Sequence, residues 1–301
     1  MKIVKEREPS LELKVLRLLK PRMNLPDQQH YVNLEKGYAG ELKLDVWLEG
    51  LRNDCLVVND LLLTHKGKVF QIDSLVIFQS MIYLFDSKYH KGNFYLDGNK
   101  WNTLADDEIN SPLPQMERCE SLLRQLLRQC LNTNLPIEAF LVFTHPEFTL
   151  YHASPKLPAI FPTQLHSFMK KMNKLDSKLN RSHEKLAEQL VAQHLNKSPN
   201  TQWPEYDFGH LKKGVVCSKC SSFMIERGRI WMCAACGQTE NAQAAILRSI
   251  QEFKILFPKE KITSNKMRKW CAVEGDRKKV YRTLTNHFKK VGSRSASYYI
   301  D

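Results

Sequence analysis

The chain has 301 residues, 43% of them apolar, with 45 Lys/Arg against 32 Asp/Glu and a formal charge of +13. That is enough chain and apolar material for two or three packed domains. No apolar run reaches the roughly 18 residues of a membrane span, and the charged start Met1-Lys2-Ile3-Val4-Lys5-Glu6-Arg7-Glu8 lacks the apolar centre of a secretory leader, so a cytoplasmic protein with no membrane partner is expected.

In chain order, Ser10 is expected to cap a short amphipathic helix over 11–20, stopped by Pro21. A second helix is predicted over 34–51, where Leu34, Tyr38, Leu42, Leu48 and Leu51 share an apolar face with Trp47 near it. Gly37 and Gly40 lie inside it. A helical glycine costs about 1 kcal/mol against alanine, so close packing of this helix on a sheet is expected. Glu41 then either faces the end of that sheet as a carboxylate ligand or is an exposed helical glutamate beside Lys43 and Asp45.

Strands follow at 55–63, 69–78, 81–86 and 94–96, with turns at 65–68 and 97–100. The second and third strands, joined through Gln79-Ser80, each carry an acid that their apolar neighbours do not explain: Asp73 and Asp86. Lys88, two residues beyond Asp86, projects from the same side of the strand. Hard divalent ions such as Mg²⁺ take carboxylate and carbonyl oxygens. Asp73 and Asp86, with the main-chain carbonyl of Ser87, would suit one, and Lys88 would orient a water or offset developing phosphate charge. Acid-x-Lys occurs at six places, beginning at Glu12, Glu41, Asp86, Asp176, Glu252 and Asp276. Only Asp86-Ser87-Lys88 closes an apolar run preceded by a second acid-bearing strand. The alternative there is a strand-end ion pair.

A helix is predicted over 113–131 and a buried strand over 137–143. Strands and helices in this order make an α/β core. Residues 161–194 are polar, Lys-rich and helical, read as a linker or arm, either free or packed back on the core, and 198–201 mark a boundary.

Gly37-x-x-Gly40-Glu41, Gln71-Ile72-Asp73, Asp86-x-Lys88-x-x-x-Gly92, Trp101 and Pro112-x-x-Gln115 resemble, in order and spacing, the nuclease-related domain family, NERD. The resemblance covers 31–150. It implies a restriction-endonuclease-like α/β fold similar to the PD-(D/E)xK nucleases. It also implies a catalytic set of Glu41, Asp73, Asp86 and Lys88 with Gln115 in support, and Mg²⁺ or Mn²⁺ held by Glu41, Asp73, Asp86 and Ser87. Members of that family usually carry Glu where Asp86 stands and often His where Ser74 stands. The shorter acid places the ion nearer the strand or binds it through water.

Of eight cysteines, Cys55, Cys119, Cys130 and Cys271 are scattered in apolar or helical contexts and are expected to be idle thiols. Cys217-x₂-Cys220 and Cys233-x₂-Cys236 have the spacing of one tetrahedral Zn²⁺ site. Four thiolates leave no open position, so this zinc is structural. A zinc ribbon hairpin turning at Arg227-Gly228-Arg229 is expected, suited to nucleic acid or to protein.

Residues 241–301 hold 14 Lys/Arg against 5 Asp/Glu, or +9 of the +13. Concentrated positive charge attracts phosphate polyanions. Helices are predicted at 241–257, 263–271 and 276–289, then a return strand near 292–299. This reads as a helix-turn-helix with a wing, or as a basic helix in a small bundle. Arg277, Lys278, Lys279, Arg282 and Arg294 are its candidate nucleic-acid contacts.

The expected whole is an α/β protein: a restriction-endonuclease-like mixed sheet flanked by helices, plus a small zinc ribbon and a C-terminal winged-helix-like module. Its expected parts are an N-terminal helix (1–30), a nuclease core (31–160), a helical linker (161–205), the ribbon (206–240) and the basic helical domain (241–301). The expected activity is metal-dependent hydrolysis of nucleic-acid phosphodiesters, DNA favoured over RNA. The alternative is a non-catalytic nucleic-acid-binding or protein-docking chain that keeps the fold.

Overall fold

The computed structural model describes residues 1–199, 201, 203–275, 278–293 and 297–301. The chain divides into two units, Met1–Leu11 with Gln29–Thr201, and Glu12–Gln28 with Gln202–Asp301. Residues 1–30, expected as one N-terminal segment, are thus split: β1 (Lys2–Lys5) belongs to the first unit and nearly all of α1 (Leu11–Leu19) to the second.

In the first unit, α2 (Gln28–Leu48) precedes β2 (Leu56–His65), β3 (Lys68–Ile77), β4 (Ile82–Lys88), β5 (Gly92–Asp97), β6 (Lys100–Thr103) and β7 (Glu108–Ile109). Then come α3 (Leu113–Cys130), β8 (Ile137–Phe143), β9 (Phe148–Tyr151), β10 (Ala159–Ile160), α4 (Leu165–Met172) and α5 (Arg181–Ala192). The main sheet runs β1-β2-β3-β4-β8-β10, antiparallel across β2, β3 and β4 and parallel elsewhere. A second sheet, β7-β6-β5-β9, carries buried Trp101.

Helices cover both faces of the main sheet, as its apolar strands require. Leu122, Leu123, Leu126 and Leu127 of α3 and Leu186, Ala187 and Leu190 of α5 pack with Leu84 and Leu141. Leu44 and Leu48 of α2 and Met172 of α4 pack with Phe85 and Val142 on the other face. The segment expected as a linker therefore contributes α4 and α5 to this core. The inward stripe of α2 also differs from expectation: Gly40, Leu44 and Leu48 are buried, while Leu42 is exposed. A Cβ on Gly40 would lie 2.7 Å from Tyr89 Cβ, so the close approach expected of a glycine is present there. At Gly37 it is not: a Cβ there would meet nothing within 4 Å.

In the second unit, the ribbon strands β11 (Met224–Arg227), β12 (Ile230–Cys233) and β13 (Thr239–Asn241) form an antiparallel sheet. Helices α6 (Ala242–Leu256), α7 (Ser264–Trp270) and α8 (Lys278–His287) lead to the hairpin β14 (Lys289–Val291) and β15 (Tyr298–Ile300). A bridge from Ile262 to Tyr299 ties the α6–α7 connection to that hairpin, which gives the order of a winged helix. Arg22, just past α1, explains why residues 12–28 lodge here. Its buried guanidinium pairs with Glu252 at 3.0 Å, donates to the carbonyls of Lys212 and Gly214, and lies 4.0 Å over the Trp270 ring. No helix among the described residues is long and apolar enough to cross a membrane.

Candidate active site

Strands β2 and β3 break their side-chain alternation at the same place. On β2 the residues facing the α3 core are Leu56 and Val58, then Leu61 and Leu63; on β3 they are Phe70 and Ile72, then Leu75 and Ile77. Strict alternation has a period of two, so both strands skip one step, at Asp60 and Asp73. Asp60 is in the left-handed region (φ 51°), and the ladder passes from Asn59↔Ser74 to Leu61↔Ile72 without pairing these two residues. Lys5 supports the irregularity, its Nζ donating to the carbonyls of Asn59 (3.0 Å) and Asp60 (2.8 Å).

On the other side of β3, pairing with β4 ends at Ser74↔Phe85, while β4 continues beside β8 through Lys88↔Phe143. Asp73 thus stands at a fork between strands. Its Oδ2 accepts the main-chain N–H of Ser87 at 2.8 Å, which satisfies a donor that β3 has left behind. Beyond the fork, Asp86 and Lys88 share the face of Leu84. Lys88 Nζ lies 2.6 Å from Asp86 Oδ1 and 3.5 Å from Oε1 of Gln115, in the first turn of α3. The main chain after Lys88 is pinned by the Thr144 N–H, which donates to its carbonyl at 3.1 Å.

Glu41 arrives from α2, on the opposite face, and is held by a residue that sequence reasoning missed. Arg7, its side chain 1% exposed, donates through Nη1 to Glu41 Oε2 at 2.8 Å. Its Nε and Nη2 grip both oxygens of Asp45, at 2.7 and 2.9 Å. Nη2 also reaches the Asp73 carbonyl at 2.7 Å and Ser74 Oγ at 2.8 Å. Burial opposes the charge on Arg7, but the bond to Asp45 and the fields of Glu41, Asp45 and Asp73 outweigh it and raise its pKa. The only sequence signal was an arginine in a charged leader, which has no periodicity to betray it.

The acids show the strain of this gathering. Burial lifts Glu41 to about 6 against the pull of Arg7. Burial, then the charges of Glu41 and Asp86, push Asp73 well above the ordinary carboxylate range. Burial also raises Asp86, opposed by Lys88. The donors are all oxygen, and the deficit of positive charge around Asp73 is what a hard divalent ion relieves, so the residues fit Mg²⁺ or Mn²⁺. They do not converge as tightly as the cysteines. Among the described residues, only Cys217, Cys220, Cys233 and Cys236 form a group of three or more His, Cys, Asp or Glu with ligand atoms all within 4.8 Å. The acids approach from both faces of the sheet, and each already has a cation or N–H partner.

At the cysteines, Cys217 Sγ and Cys236 Sγ are 3.7 Å apart, and Cys220 Sγ and Cys233 Sγ 3.4 Å. Tetrahedral zinc–sulfur bonds of about 2.3 Å require separations of roughly 3.8 Å, so the cluster fits one zinc. The two knuckles share one turn. The N–H groups of Ser221 and Gly237 bond the carbonyls of Cys217 and Cys233, and both residues are left-handed (φ 62° and 73°). Beyond them, Cys217 and Cys233 donate their own N–H groups to the carbonyls of Ser222 and Gln238.

Of the expected nucleic-acid contacts, Arg277 and Arg294 lie outside the described residues. Lys278 and Arg282 are on the exposed face of α8, joined by Tyr281, which sequence reasoning missed and which is 47% exposed. Lys279 points elsewhere: its Nζ pairs with Glu226 and donates to the Gly228 carbonyl at 2.6 Å, bracing the ribbon hairpin.

No curated protein and no solved structure matches the chain. Residues 36–144 match the model of one family, described as the nuclease-related domain, and this span contains Glu41, Asp73, Asp86, Lys88 and Gln115 but not Arg7. The chain therefore carries a nuclease-related domain, NERD, followed by a four-cysteine cluster consistent with a zinc ribbon.

Proposed function

We propose that this protein is a divalent-metal-dependent nuclease that hydrolyses phosphodiester bonds in nucleic acid, DNA favoured over RNA. The observation that supports the reading is the fork of β3 and β4, where Asp73 accepts the Ser87 N–H and Asp86 pairs with Lys88. Asp73 and Asp86, with the Ser87 carbonyl, would hold Mg²⁺ or Mn²⁺, and Glu41 would complete the shell through its free oxygen or through water. The bound ion supplies a water of lowered pKa and offsets charge on the phosphate. Lys88 then orients the attacking water and stabilises the charge that develops on the non-bridging oxygens. Gln115 limits where the lysine head can swing.

In the second unit, the zinc ribbon and the basic winged helix bind the polyanion or a protein partner. The exposed face of Lys278, Tyr281 and Arg282 pairs charge with an aromatic ring, as phosphate and base contacts require. A cytoplasmic setting keeps the four thiols reduced for zinc. A second reading, a non-catalytic nucleic-acid binder, is favoured by the looser convergence of the acids. The deciding experiment is a cleavage assay on plasmid, linear duplex, single-stranded DNA and RNA with Mg²⁺ or Mn²⁺. Metal-dependent cutting that disappears in Asp73→Asn supports the nuclease. Retained binding with no cutting under any metal supports the binder.

A further inference from the structure

The Arg7 clasp has a consequence for the metal count. Four carboxylates, Glu41, Asp45, Asp73 and Asp86, face two cations, Arg7 and Lys88. Lys5 and Asp60 nearby cancel each other at 3.6 Å. When all four acids are ionised, the cluster lacks two positive charges. One divalent ion makes it neutral; a second would leave it with an excess of two, in a place where the Arg7 side chain is 1% exposed and those of Glu41 and Asp45 are 19% and 18% exposed. Buried excess charge is costly.

Position leads to the same count. The oxygens that a second ion on the α2 side would take are Glu41 Oε2, both oxygens of Asp45 and the Asp73 carbonyl, and Arg7 already occupies all of them. A planar guanidinium held by five hydrogen bonds is fixed in that position. We propose that Arg7 is the resident second cation of this site: a positioning residue that fills the α2-side cation position permanently, so that the domain binds a single divalent ion, at Asp73 and Asp86. This rests on the nuclease reading above.

Arg7 lies outside the span that matches the nuclease-related domain, so a residue from before that span completes the electrostatics of the site. It acts through Glu41 and Asp73 and touches neither the phosphate nor the attacking water.

The test is calorimetric titration of Mn²⁺ into the full, zinc-loaded chain, with the zinc content measured before and after. Wild type is expected to bind one Mn²⁺, lost in Asp73→Asn. Arg7→Met is expected to gain a second, weaker Mn²⁺ site, and Arg7→Lys, which restores the charge, to return to one. Two Mn²⁺ on wild type, both lost in Asp73→Asn, overturn the role of Arg7 but leave the nuclease reading standing. A folded Arg7→Met chain that binds one Mn²⁺ with wild-type affinity also overturns it. No Mn²⁺ on wild type overturns the nuclease reading and this inference together. If Arg7→Met fails to fold, Arg7→Gln, which keeps an N–H donor to the acids without the charge, is expected to gain the second Mn²⁺ site, and one Mn²⁺ of wild-type affinity on that variant overturns the role.

Discussion

The Asp73 carboxylate accepts the Ser87 N–H at the point where β3 and β4 cease to pair. One side chain thus does the work of a missing strand neighbour and brings an acid into the field of Asp86. A carboxylate so placed is held in the sheet at the expense of stability.

Asp73→Asn keeps the carbonyl oxygen that Ser87 bonds but removes the charge. Stability without Mg²⁺ at neutral pH should rise by about 1 kcal/mol or more, while cleavage is lost. Chemical denaturation alongside the cleavage assay checks both. A variant that cuts like wild type ends the assignment of Asp73. Lys88→Ala should keep metal binding and lose on the order of 100-fold in kcat.

The pH dependence has a definite sign. Glu41 titrates near 6 in the folded chain and lower when unfolded, and Asp73 and Asp86 are also raised. Groups raised by folding contribute stability at acid pH, below the ordinary carboxylate range, and lose it as pH rises through the folded value. Added Mg²⁺ favours the ionised acids. The rise in melting temperature caused by Mg²⁺ should therefore grow between about pH 5 and about pH 7.5. A shift independent of pH would mean that the ion binds elsewhere.

Two glycines on one stripe of α2 should answer the same substitution with opposite signs. Gly40→Ala drives a Cβ against Tyr89 Cβ at 2.7 Å and should destabilise by about 1–3 kcal/mol. Gly37→Ala meets nothing and should stabilise the helix by about 1 kcal/mol. Melting curves measure both. If Gly37→Ala is more stable but cuts more slowly, the open stripe one turn before Glu41 is where the substrate backbone passes.

The ribbon should copurify with one Zn²⁺, and Cys233→Ser should loosen β11–β13 without melting the main sheet. Elemental analysis and hydrogen exchange read these outcomes. In α8, removing Lys278, Tyr281 and Arg282 together should weaken DNA binding and flatten its salt dependence by about one unit of slope per lost phosphate contact. Lys279→Ala should act instead on the stability of the ribbon hairpin that it braces.

The local pattern was legible in the sequence. The paired strands around Gln79-Ser80, Asp86-x-Lys88 and the two Cys-x₂-Cys knuckles are short-range patterns, fixed by strand period and metal-ligand spacing. What the tertiary structure alone decided lies in long-range pairing. Arg7 meets Glu41, Asp45 and Ser74 across 34, 38 and 67 residues of sequence, and a lone arginine among leader charges has no pattern to show it. The matched break at Asp60 and Asp73 is hidden because β2 is apolar on both faces, so alternation leaves no trace there. The division of residues 1–30 between two units depends on Arg22 finding Glu252 and Trp270, and buried charge pairs are made by the fold as a whole. Sequence thus determined which strands carry the acids and which cysteines cluster; the fold decided which cation stands beside each acid, because electrostatics acts through distance in space and not along the chain.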